Sequence, residues 1–349
     1  MKHQALQWLY GEPIATAKLR VQPDDFIVDE ELNFSPSGAG EHLLLQIEKI
    51  GQNTQYVAKK LAELSGLKAR DISFAGRKDR HAVTRQWFCL PWPIKQEVPW
   101  QDWQAEGYRI VQVQRHFRKL RLGALKRNHF QIRLRDVTAP EQLIQRAQQV
   151  RAGVPNYYGE QRFGIEGGNL KLAESLFAGQ GIADRQLRGL ALSAARSFLF
   201  NTQLSKRIEQ GYFQQLLLGD VVQLDGSGSI FRVEELTDEL HERLQQGDIH
   251  PTAALCGLPS SDKGQPSEQA AALEQQWLAD YAALQQGLQE FRLKAERRSI
   301  RLQPQQLEIT QDAGTIQLRF ALPTGCFATS VLRELVQYQD CGRNHGARE

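Results

Sequence analysis

Strand-forming runs crowd residues 21–137, give way beyond Pro155 to helical periodicity, and resume near residue 303 as QLEITQD and TIQLRFALP. This return to strand is the strongest constraint on the fold. It implies that the middle of the chain is an insertion and that the last strands complete the sheet begun by the first region. The length of 349 residues agrees, because it exceeds that of most single domains.

The elements read as follows. Pro23 precedes an alternating run in VQPDDFIVDEEL (21–32), which predicts a strand after a turn. HLLLQIEKI (42–50) predicts a second strand. NTQYVAKKLAELSG (53–66) predicts a helix capped by Asn53 or Thr54 and stopped by Gly66. DISFAG and AVTRQWFCL predict two strands flanking a turn that holds Asp79, and YRIVQVQRHF and NHFQIRLRDV (108–117 and 128–137) two more. A helix over 140–151 closes the region. The middle predicts helices over 187–211 and 269–291 around an exposed loop at 257–268, and Ala328 to Tyr338 predicts a last helix. The expected class is α+β with a mainly antiparallel sheet, with boundaries near 1–153 and 303–349 for the first domain and 154–302 for the insertion. Tyr157, Gln161, Arg162 and Phe163 follow the junction, where shaping a cleft and packing are both open.

A hydrophobic share of 41% beside 24% charged residues suits a globular core. MKHQALQWLYGEP has no uninterrupted apolar h-region, and no run of about 18 apolar residues occurs. The chain is therefore expected in the cytoplasm, away from membranes; nothing in the sequence constrains its oligomeric state, and a monomer is the expectation. Cys89, Cys256, Cys326 and Cys341 lack the paired spacings of a zinc or redox site, and the eight histidines form no HExxH pattern, so no metal is expected. GSGS (226–229) and SGAG (37–40) lack both the full GxGxxG and a phosphate-loop lysine, so they read as turns and no nucleotide cofactor is expected.

Charge is unevenly divided. Residues 1–150 carry 23 Lys+Arg against 16 Asp+Glu, whereas 151–300 carry 15 against 19. Within 51–135, 18 basic residues face six acids, and RHFRKLRLGALKR (115–127) has six cations and no acid. Such a field is the footprint expected of a phosphate-backbone partner, although a solvated basic face gives the same pattern. The interleaved His116, Phe117, Asn128 and Phe130 favour RNA, whose unpaired bases are read by stacking and polar edges together. In FAGRKDRHAVTRQWFCL (74–90) Asp79 stands among Arg77, Lys78 and Arg80. It reads either as a solvated surface acid or as a carboxylate kept ionised by neighbouring cations.

LRVQPDDFIVDE, FAGRKDRHAVTRQW, RLGALKRNHFQI, GVPNYYGEQRFG, LSAARSFLFN and PTGCFATSVLREL occur in this order along nearly the whole chain. Together they resemble the motifs of the TruD family of tRNA pseudouridine synthases. The resemblance implies a pseudouridine synthase fold with an inserted TRUD domain, a tRNA partner and action on uridine 13. The family's GxKD-type element matches Gly76-Arg77-Lys78-Asp79, which implies that Asp79 is the catalytic residue. It also implies substrate contacts from Phe26, Asn128 and Phe327. Arg20 departs from the Lys expected in some relatives, and a guanidinium fork is not a point charge. Arg20, Arg77, Lys78, Arg80, Arg118, Lys119 and Arg121 are the RNA-contact candidates.

The chemistry suits these residue types. Forming pseudouridine breaks the bond between ribose C1′ and uracil N1 and rejoins the base through C5. A carboxylate can attack C1′, attack C6, or remove the C2′ proton, and it stabilises positive character at the sugar carbon. The target nucleotide must leave its stack, which stacking on Phe26 and Phe327 would offset. Asn128 can offer both a donor and an acceptor to a uracil edge. From pattern alone Phe26 reads as core. A non-catalytic RNA chaperone would use the same basic face, and an RNA methyltransferase is weakened by the missing cofactor loop.

Overall fold

The computed structural model describes residues 5–259 and 262–342. The chain divides into two units: one comprises Pro13–Arg151, Pro304–Ala328 and the segment from Leu335, and the other comprises Ala152–Gln303, Thr329–Glu334 and the segment up to Glu12.

The first unit opens with strands β1 (Thr16–Leu19), β2 (Phe26–Leu32) and β3 (His42–Ile50) and helix α1 (Thr54–Ser65). Strands β4 (Ser73–Phe74), β5 (Val83–Pro91), β6 (Tyr108–His116) and β7 (Leu125–Leu134) and helix α2 (Pro140–Arg151) follow. Alternation along β3 aims Leu43, Leu45 and Ile47 at one face, where they pack with Phe88 and Leu90 of β5 and with Val57 and Leu61 of α1. Helix α1 ends at Gly66, whose φ of 71° lets its amide reach back to the Ala62 and Glu63 carbonyls. At its other end Asn53 makes no side-chain cap, and the Thr54 hydroxyl is committed to the loop before β5.

The second unit contains β8 (Val154–Pro155), α3 (Gly168–Phe177), α4 (Arg185–Glu209), β9 (Val221–Leu224), β10 (Ile230–Arg232), α5 (Asp238–Gln246), β11 (Ile249–Leu255), α6 (Glu268–Trp277), α7 (Ala282–Glu290), β12 (Glu296–Ser299) and β13 (Arg301–Leu302). Among the described residues it holds a four-stranded antiparallel sheet, β10-β9-β11-β12, beside its helices, and β13 pairs with β8. The sheet was hidden in sequence by strands of three to seven residues. The helix expected over 269–291 is two, α6 and α7. The Leu278 carbonyl at the break accepts from Gln285 Nε2 at 3.0 Å, so the interruption leaves that acceptor satisfied. Of the loop expected at 257–268, Ser260 and Ser261 lie outside the described residues.

The chain then supplies β14 (Gln305–Asp312), β15 (Thr315–Pro323), α8 (Ala328–Leu335) and β16 (Gln337–Asp340). β14 and β15 enter the sheet of the first unit, which runs β14-β15-β7-β2-β5-β3-β6 with β4 on β5. Within this sheet, among the described residues, only β2 and β5 pair in parallel. The architecture is α+β with an antiparallel-rich sheet. The helix expected to reach Tyr338 stops at Leu335, because the next residues pair in parallel with β1 and set Asp340 opposite Leu19. Among the described residues no helix is long and apolar enough to cross a membrane.

One buried ion pair fixes the second unit internally. Arg207 of α4, 2% exposed, donates to both carboxylate oxygens of Asp220 at 2.8 and 2.6 Å and to the carbonyls of Tyr212 and Gln215. Removing one partner strands the other charge. Asp220→Ala should therefore lower the free energy of unfolding by about 3–5 kcal/mol, read as a drop in urea midpoint; a change below about 1 kcal/mol would show that the pair is replaceable.

Candidate active site

The site grows from the sheet face on which β2, β7, β5 and β3 turn from apolar to polar. Cross-strand register sets Phe26 against Ile132, Val28 against Phe130 and Glu30 against Asn128. It also sets Val28 beside Thr84 and Thr84 opposite Lys49. Partners in register share a face, so Phe26, Glu30, Asn128, Thr84 and Lys49 all lie on it. Each is less than a tenth exposed. The turn entering β2 is pinned by Asp25, fully buried, whose carboxylate accepts from Arg135 Nε and from the Gln22 amide.

Over this face runs the connection from β4 to β5, residues 75–82, and buried side chains hold its peptides one by one. Gln86 Nε2 donates to the Gly76 carbonyl at 3.0 Å. Thr54 Oγ1 accepts from the Lys78 amide at 3.1 Å and donates to Gln86 Oε1. Lys49 Nζ donates to the Asp79 carbonyl at 2.8 Å. Gly76 sits at a close approach: a Cβ there would lie 3.1 Å from both Glu30 Oε1 and Lys78 Nζ, which would have to give way.

Lys78 turns inward. Its ammonium pairs with Glu30 Oε1 at 2.5 Å, and Glu30 Oε2 accepts from the Trp87 amide at 2.8 Å. Burial pushes the Glu30 carboxyl above its usual range, and the Lys78 charge opposes that shift. Lys78, one of the candidates for RNA contact, thus has its charge on a buried carboxylate of the protein itself. Arg80 donates from Nε to the Gly51 carbonyl at 3.0 Å, and Arg77 is exposed.

Asp79 faces outward with 45% of its side chain exposed. Among the described residues the cation on its carboxylate is none of its sequence neighbours but Arg20, whose Nη1 lies 3.4 Å from Oδ2. The Arg20 guanidinium also donates from Nε to Asp340 Oδ1 at 2.9 Å, pairs with Asp340 Oδ2, and lies 5.7 Å from the Phe26 ring centroid. Burial works against the Arg20 charge, but its hydrogen bond to Asp340 and the charges of Asp340 and Asp79 outweigh burial and raise its pKa. Arg20 holds a φ of 57°, in the left-handed region that long side chains avoid.

Arg20 thus brings Asp79 and Phe26 together. Phe26 is core-buried at 6% exposure, edge-on to Phe130 with centroids 6.1 Å apart. Asn128 stands between Glu30 and Leu322 in register, and its Oδ1 is buried without a hydrogen-bond partner among the described residues. Phe327 is half-buried on the turn between β15 and α8. Arg118, Lys119 and Arg121 are exposed between β6 and β7, with the Arg118 guanidinium 5.4 Å from the Phe117 ring centroid. In the second unit Tyr157 and Phe163 are buried and Gln161 is exposed, while Arg162 donates to Ser193 Oγ.

Sequence reasoning missed Lys49, Thr54 as a loop anchor, Gln86, Glu30 and Asp340. Two carried a signal: Lys49 is in phase with the apolar Leu43, Leu45 and Ile47, and Glu30 with Phe26 and Val28. A charged residue at the end of a buried stripe needs a partner nearby.

The family model of tRNA pseudouridine synthase D (TruD) matches residues 5–180 and 178–335. The chain is 46% identical to a tRNA pseudouridine synthase D of Pseudoalteromonas translucida, covering 96% of this chain and 94% of that one. It is likewise 46% identical to a tRNA pseudouridine synthase D of Aeromonas salmonicida, covering 99% and 97%. A solved structure from Methanosarcina mazei, described provisionally as tRNA pseudouridine synthase D, shares the fold with a TM-score of 0.68 at 20% identity, covering 96% and 95%. The chain belongs to the tRNA pseudouridine synthase D (TruD) family.

Proposed function

We propose that this protein isomerises a uridine of tRNA, at position 13, to pseudouridine, with Asp79 as the catalytic carboxylate. The observation that carries the reading is the half-exposed Asp79 carboxylate, paired with Arg20 at one oxygen while Lys49 holds the main-chain carbonyl of the same residue. That leaves the second oxygen to act on a ribose. The bond from C1′ to N1 breaks, the uracil turns, and C1′ bonds to C5 as the C5 hydrogen leaves and N1 takes up a proton. An ionised Asp79 serves by attack at C1′, by attack at C6 or by removing the C2′ proton, and Arg20 steadies its charge in each case.

The target base must be extruded to meet Asp79, at a cost of a few kcal/mol. Asn128 suits the uracil edge, because its amide offers both a donor and an acceptor. Phe26 bounds the base pocket through its contact with Arg20, and Phe327 offers a stacking surface. The exposed Arg118, Lys119 and Arg121 supply phosphate contacts beside Phe117, which is 60% exposed and suited to an unpaired base. Arg77 and Arg80 extend this basic surface. In this reading the catalytic domain spans 1–153 and 303–349, and 154–302 is the inserted TRUD domain.

Release of tritium from uracil C5 in tRNA tests the chemistry, since isomerisation frees that position and binding alone does not. Asp79→Asn should abolish release while tRNA affinity stays within a few-fold; release from this variant at the parent rate would exclude Asp79 as the catalytic group. Replacing Arg118, Lys119 and Arg121 together by Gln should weaken tRNA binding and flatten the dependence of log affinity on log salt, by about one unit for each phosphate no longer neutralised. An unchanged slope would take these residues off the RNA face.

A further inference from the structure

We propose that Lys49 is a positioning residue of the reaction: its buried ammonium fixes the Asp79 peptide from beneath the loop and so sets the direction of the Asp79 carboxylate. The inference rests on the reading of Asp79 as catalytic.

Lys49 is fully buried, thirty residues from Asp79 in sequence, and donates to its carbonyl at 2.8 Å. Three peptide groups of the loop, at Gly76, Lys78 and Asp79, are held by three side chains from three elements: Gln86 of β5, Thr54 of α1 and Lys49 of β3. Of the three, only Lys49 carries a charge. Burying an ammonium for one peptide hydrogen bond is a poor route to stability, since an apolar residue in phase with Leu43, Leu45 and Ile47 would avoid the desolvation cost. A charge-assisted bond is about twice as strong as a neutral one, and it acts on the one residue of the loop whose side chain does chemistry. Misplacing a reacting group by about 1 Å can cost about 10²-fold in rate.

The charged groups facing Lys49 are Asp79 and Glu30, which favour its ammonium, and Lys78, which opposes it. Burial opposes it most and lowers its pKa to about 8. The unfolded chain keeps the ordinary lysine value of 10.5. Between these two values the folded protein binds fewer protons than the unfolded one, so through this group stability rises with pH. The same deprotonation weakens the hold on Asp79. Activity should therefore fall as pH rises through about 8 with no loss of fold.

The experiment measures C5 tritium release from tRNA against pH for the parent, Lys49→Met and Lys49→Arg, with thermal melting alongside. Lys49→Met should lose about 10²-fold in kcat, with KM changed less than about three-fold. Lys49→Arg keeps a charged donor at all these pH values. It should retain more activity than Lys49→Met and lack the alkaline fall. Should Lys49→Met fail to fold, the parent and Lys49→Arg profiles decide between them. Parent-like kcat in Lys49→Met, or an alkaline limb in Lys49→Arg matching the parent's, would overturn the positioning role. A parent that releases no tritium overturns instead the reading of the reaction.

Discussion

A carboxylate in the middle of a sheet must find a cation, and much of the site follows from how Glu30 finds one. Its side chain has no exposed surface, and Lys78 comes down from the loop to meet it. Breaking such a pair strands a buried charge, so Lys78 is confined to the inward direction. The next residue is then free to face outward, and that residue is Asp79. Gly76 lies against the same contact, where a Cβ would press on both ends of the ion pair.

Cations in the first unit therefore divide into two populations that composition cannot tell apart. Arg20, Lys49 and Lys78 are inside and act on carboxylates and a carbonyl of the protein itself. Arg118, Lys119 and Arg121 are outside, where their field reaches solvent. The inner set works in a low-dielectric setting where salt screens weakly, and the outer set where it screens strongly. Ionic strength thus separates the two jobs: the outer cations respond to salt, and the geometry of the Asp79 loop does not.

Local order was legible in the sequence, and long-range pairing was not. β3 spans the expected 42–50, α1 lies within 53–66 with Gly66 at its end, and α2 spans 140–151, because alternation, helical period and caps are local signals. Asp79 does lie between two strands. Its cation, however, comes from 59 residues away, and Arg20 is in turn held by Asp340, 320 residues away. Adjacent residues on an extended loop point in different directions, so the three cations beside Asp79 in sequence were a poor guide to those beside it in space. β16 was hidden for a related reason: VQYQD continues a helical pattern and becomes a strand only because β1 is there to pair with it.

The site also holds features that local physics disfavours. Arg20 sits at positive φ, Lys49 is an ammonium in the core, and the Asn128 oxygen lacks a partner among the described residues. A buried unsatisfied polar group costs about 1–3 kcal/mol, and strained backbone a similar amount. Lys49 and Asn128 lie on one sheet face, and Arg20 pairs with the carboxylate of the loop that passes over it. Such features are not confined to this place: Asp136 and Ala139 also hold positive φ, and among the described residues Asp29 Oδ1 and His42 Nδ1 are also buried without a hydrogen-bond partner, whereas Asp25 is met by Arg135 and Gln22. What sets this place apart is where two of the disfavoured features converge: Arg20 meets the Asp79 carboxylate and Lys49 the Asp79 carbonyl, so both act on one residue of the loop.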